Sequence, residues 1–139
     1  MKTRICALIF ALALALAASP ASQASRSIPL QDHQRTSFGE VSGRVLTPAK
    51  VREAIVVAAS ARGWAIASEI SGQLTLRNNI RGKHMVVIKL IYDAAGVQVD
   101  YVSSENLNYE LRHGQAYIHP KYNQWLGLLM QDVSARLSY

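Results

Sequence analysis

Residues 103–126 read SSENLNYELRHGQAYIHPKYNQWL and gather three tyrosines, three asparagines, two histidines and a tryptophan. Side chains of these types offer hydroxyl, amide and imidazole groups on apolar bodies, the composition of a binding surface. Asn106, Tyr109, His119, Tyr122 and Asn123 are the candidate ligand- or partner-binding residues. The same residues also suit a joint. Asn106 and Asn108 favour turns, Leu107 can plug a core edge, and His119 before Pro120 can fix the start of a helix. On balance the joint is the stronger expectation.

Catalytic spacings are missing from this stretch. Ser103 and Ser104 lack the glycines of a nucleophile elbow, so a hydrolase built on His119 is the weaker alternative. His113 and His119 are six residues apart, with His84 and His33 distant, and no cysteine or HExxH pattern joins them into a metal site. No phosphate-binding loop or dinucleotide fingerprint is present, and no cofactor is expected.

The elements needed to position these groups can be read from periodicity. Thr47 is a good N-cap, Pro48 suits a first helical position, and Gly63 stops a run in which Val51, Ala54, Ile55, Ala58 and Ala59 share one face. The period then changes to two. Strands are expected over 64–70, 73–78, 83–93 and 97–103, with Leu74, Leu76, Val86, Ile88, Leu90, Tyr92, Val97, Val99 and Tyr101 inward. A last helix opens at Pro120 and carries Tyr122, Trp125, Leu126, Leu129, Met130, Val133 and Leu137 on a broad apolar stripe. The expected fold is α+β: a four-stranded antiparallel meander with an N-terminal and a C-terminal helix packed on one face.

The chain's start points to export. Lys2 and Arg4 precede an apolar run over 5–18, and Ser22-Gln23-Ala24 has the small-x-small form of a cleavage site. This is the layout of a signal peptide over 1–24, cut between Ala24 and Ser25. The run falls short of the roughly 20 apolar residues of a membrane span. Cys6, the single cysteine, lies ahead of most of that run, so no lipid anchor and no disulfide are expected. Removal of 24 of the 139 residues leaves 115, enough for one domain. Residues 25–46 read as a flexible tail with an edge strand over 38–46, and 47–139 as a single α+β domain.

With 15 basic and nine acidic residues the formal charge is +6, and loss of Lys2 and Arg4 reduces it to +4. The remaining cations are scattered rather than striped with aromatics, so nucleic acid is not the expected partner. An unknown envelope component or protein partner is.

Two separated elements carry a resemblance. Ser104, Asn106, Leu107 and Tyr109, then Ile118, His119, Tyr122, Asn123 and Trp125, together with Gly63-Trp64, resemble a family of small uncharacterised envelope proteins and lipoproteins of Gram-negative bacteria. The likeness spans most of residues 48–137. Many such proteins carry a lipid-attachment cysteine that this chain lacks. The resemblance implies a periplasmic or secreted location and the fold above, and brings no activity with it. The expected function is that of a non-enzymatic accessory or binding module of the cell envelope.

Overall fold

The computed structural model describes residues 26–39 and 44–138. In chain order the elements are β1 Ile28–Pro29, β2 Gln34–Ser37, α1 Pro48–Ala61, β3 Trp64–Ile70, β4 Gln73–Ile80, β5 His84–Tyr92, β6 Gly96–Glu105, β7 Glu110–Arg112, β8 Gln115–Ile118 and α2 Lys121–Leu137. Helix α1 begins where its sequence demands. The Thr47 side chain accepts from Lys50 N–H at 3.2 Å, and Pro48 sits in the first turn, where its missing donor is harmless. Gly63 at φ 82° then reverses the chain into β3.

Strands β3 to β6 form the expected antiparallel meander, but the sheet is larger. Its order is β2-β6-β5-β4-β3, five strands, and a second sheet of three strands runs β1-β8-β7. The four-stranded expectation is corrected on both counts, for physical reasons. Strand β2 is Gln-Arg-Thr-Ser, polar because it is an edge with only Thr36 half-buried, so it shows no alternation of apolar residues. The β7–β8 hairpin is short, and β7 is exposed throughout. Its signal was His113-Gly114, both at positive φ (50° and 79°), a two-residue turn between two short runs.

The segment read as a flexible tail straps both sheets. Ile28 pairs with Ile118, Leu30 is buried and donates to the Ala116 carbonyl at 2.8 Å, and β2 pairs with β6 from Gln34↔Val99 to Ser37↔Gly96. The edge strand thus comes earlier than 38–46. Within that range residues 38, 39 and 44–46 carry no strand, and 40–43 lie outside the described residues, as does the 1–24 signal segment with Ala24 and Ser25.

One apolar cluster joins both helices to the inward side chains of β4, β5 and β6. Leu74, Leu76, Val86, Ile88, Leu90 and Val97 are fully buried, as the alternation predicts. The register slips once in β6: Val87 pairs with Ser103 and Ile88 with Tyr101, which leaves Val102 as the extra residue of a bulge. The bulge puts Tyr101 and Ser104 on the same inward face.

Strand β2 seats on β6 only because residue 96 is glycine. A Cβ there would lie 2.6 Å from the Thr36 carbonyl oxygen and 3.1 Å from the Arg35 guanidinium. Gly96→Ala is therefore expected to cost about 1–3 kcal/mol, the usual penalty for overpacking. Amide exchange should localise the damage to Gln34–Ser37. Unchanged protection there would show that β2 can seat without the close approach.

Candidate functional site

The 103–126 stretch is stitched together from its backbone outward. Asn106 and Asn108 sit at φ 58° and 52°, a conformation asparagine tolerates better than most residues. The Asn106 amide donates to the Lys83 carbonyl at 2.7 Å, and His84 Nδ1–H donates to the Asn106 carbonyl at 2.9 Å. Between these bonds Leu107 is driven into the core, 1% exposed, and its carbonyl accepts from His119 N–H at 2.8 Å. Pro120 proves to be the N-cap of α2 rather than its first helical residue, and it has no side-chain acceptor to offer. His119 supplies one instead: its Nδ1 accepts from Lys121 N–H at 3.1 Å. That bond gives the imidazole a structural role at the helix start.

Three tyrosines line the seam between sheet and helix. Tyr109 stacks on Tyr101 with ring centroids 4.7 Å apart, and Tyr101 meets Tyr122 edge-on at 5.7 Å. Tyr101 OH and Ser104 Oγ are hydrogen-bonded at 2.7 Å across the bulge. The Tyr122 hydroxyl is buried and has no partner among the described residues. Burial pushes its pKa well above the ordinary tyrosine value, and the nearby Asp32, Tyr101 and Asp100 add to the shift, so it stays neutral.

The five candidate residues therefore divide. Asn106 and His119 bracket Leu107 through their bonds, and Tyr109 and Tyr122 meet through Tyr101. Asn123 instead lines a groove of about 170 Å3 between β2 and α2, with Gln34, Thr36, Val99, Leu126 and Met130. Tyr101 belongs to the cluster and was legible only as an inward strand residue. Its role depends on the bulge, which alternation does not reveal.

A second cluster had no sequence signal, because it joins Asp32 and His33 to Asp100, with His33 and Asp100 67 residues apart. His33, held at φ 55°, brings Nδ1 to 2.8 Å from Asp100 Oδ1, and Asp32 Oδ1 accepts from Tyr101 N–H at 2.8 Å. Gln98 donates to the same Asp100 oxygen at 3.0 Å, and the Lys89 ammonium lies 3.8 Å from Asp100 Oδ2. Asp32, His33 and Asp100 place donor atoms within 4.8 Å of one another, close enough to hold a cation. The His33–Asp100 and Asp32–Tyr101 bonds make the group a clamp between strap and sheet. Burial alone would raise the Asp100 carboxyl, but bonds from Gln98 and His33 and the charges of His33 and Lys89 hold it below the usual aspartate range. The bond to Asp100, then the charges of Asp32 and Asp100, raise His33 above 6.5, against desolvation and Lys89.

A raised histidine stabilises fully below its unfolded pKa and loses that contribution as pH climbs through the folded value. The clamp should thus weaken from near-neutral into mildly alkaline pH. Melting temperatures of wild type and His33→Gln should differ most below the ordinary histidine value of about 6.5 and converge as pH rises into the alkaline range. A constant gap across that range would separate the clamp from His33 titration.

The two edges of the five-stranded sheet differ in character. Strand β2 is four residues long and polar, and Arg35 is tied to both Asp93 oxygens at 2.8 Å. Strand β3 is seven residues long, pairs among the described residues only with β4, and every residue after Trp64 is exposed. Ile66 is 43% and Ile70 63% exposed. Ile66 lies opposite inward Leu76, so it points to the helix side, whereas Ile70 points to the open side. Its one charge, Glu69, is held by Arg52 of α1. Native sheets ordinarily blunt such an edge with charge, proline or a bulge, and among the described residues the devices here are the bulge at Ala67 and the inward-pointing Glu69.

No helix among the described residues is long and apolar enough to cross a membrane. No family model, curated protein or solved structure matches this chain.

Proposed function

We propose that this chain is an exported, non-enzymatic binding module of the cell envelope, which holds a partner protein by adding one of the partner's extended segments to β3. The observation that carries the reading is the seven-residue free edge with Ile66 and Ile70 exposed. An added strand satisfies the unpaired backbone groups of β3 along its length, the common basis of strand-addition recognition. It also covers one isoleucine on each side of the edge, worth roughly 1–2 kcal/mol apiece given that both are already partly buried. The bulge at Ala67 fixes the register a partner must match and disfavours indiscriminate self-pairing. Export after Ala24 into the periplasm or medium, without a lipid anchor, is supported by the charged, apolar and small-residue order of residues 1–24 and by the position of Cys6. The polar-aromatic seam is the joint that seats α2 and keeps the sheet rigid behind the edge.

A photoreactive residue at position 66 or 70, in cells expressing the full chain, should give a discrete cross-linked adduct. The same residue at Arg35, on the other edge, should not. Carrying Ile66→Lys with the probe at position 70 should abolish the adduct while the protein stays folded. Equal labelling from both edges, or none from β3, would sink the proposal.

A further inference from the structure

A groove of about 440 Å3 opens on the helical side of the molecule, and neither the β3 edge nor the tyrosine seam contributes to it. Its cations come from three places: Arg44 in the connection before α1, Lys50 in the first turn of α1, and Arg136 in the last turn of α2. Glu53 is the single acid among the lining residues. Between the charges lies an apolar floor of Leu46, Ala54, Val57 and Leu137. Ala54 and Leu137 belong to the core, but Val57 is 41% exposed on the same face of α1. The Lys50 ammonium donates to the Val45 carbonyl at 3.3 Å, which holds the 44–46 segment upright as a wall.

Arg44 and Arg136, like Arg26, Arg77 and Arg81, form no ion pair among the described residues, and Asp132, the acid that feels the Arg136 charge, is itself bonded to Arg62. Three positive charges against one negative, set around an apolar floor, complement a ligand with one anionic head and an apolar tail. The volume falls in the range of small-ligand sites, roughly 300–1,000 Å3. Guanidinium groups suit a carboxylate head because their paired donors match its two oxygens.

We infer that this groove binds a fatty-acid-type anion, its carboxylate between Arg44 and Arg136 and its alkyl chain over Leu46 and Val57. The site is independent of strand addition, and either can fail without the other.

Amide NMR of the purified protein with sodium decanoate, kept below its micelle concentration, tests this. Shifts should saturate and map to 44–57 and 136–137. Acetate, which has the head without the chain, and 1-decanol, which has the chain without the head, should bind at least about tenfold more weakly, as should decanoate to the Arg44→Gln/Arg136→Gln variant. An Arg112→Gln variant, changed on the β7–β8 hairpin, should bind decanoate like wild type. Decanol matching decanoate, the double variant binding undiminished, or shifts spread outside the groove would each overturn the assignment. The double variant's spectrum away from the groove reports whether it is folded.

Discussion

Tyr122→Ala should destabilise the protein by about 3–5 kcal/mol, and Tyr122→Phe should stabilise it by about 1 kcal/mol. The two signs have separate causes. The ring is 1% exposed in the first turn of α2 and receives Tyr101 edge-on, so truncation opens a cavity at the point where helix, loop and sheet meet. The hydroxyl is buried without a partner among the described residues, so removing it alone relieves a desolvation penalty. A urea melt of the three proteins gives both values. If Tyr122→Phe loses stability instead, the hydroxyl has a partner, and the seam is a polar site rather than a joint.

Leu90→Ala should cost about 2–5 kcal/mol, and Lys89→Ala no more than about 0.5 kcal/mol. Leu90 is fully buried opposite Leu74 and Val99, in the middle strand of the five. Lys89 points to the other face, where its contact with Asp100 is 3.8 Å long and its side chain is 35% exposed. A loose pair of that kind contributes little. Equal losses at the two positions would mean that β5 runs in the opposite register.

The meander was legible because its strands are half-buried: Leu74, Leu76, Val86, Ile88 and Leu90 alternate with residues that face away, and both helices announce their apolar faces. What alternation cannot detect is a strand that buries almost nothing, and β1, β2 and β7 are of that kind. The N-terminal strap looked like a tail for the same reason. Its attachments are Leu30, the Arg35–Asp93 pair and the His33–Asp100 clamp, each made to residues far along the chain. Within the candidate site, Asn106, Tyr109, His119 and Tyr122 were found from composition and from the position of Pro120. Asn123 was grouped with them for its place in the first turn of the last helix, yet one step along a helix turns a side chain by about 100° and carries it to the groove beside β2. The free β3 edge was hidden too, since a strand's own sequence does not state how many neighbours it has.

Strand addition makes a claim about backbone hydrogen bonds, and amide exchange reads those bonds directly. The measurement is residue-resolved exchange over Trp64–Ile70, with and without the partner segment captured by cross-linking from position 66 or 70. The outward-facing amides of β3, open in the free protein, should slow on binding to rates like those of the β4–β5 ladder, with Gln34–Ser37 unchanged. If those amides exchange equally fast with the partner bound, the contact is made by side chains alone, and strand addition at β3 is wrong.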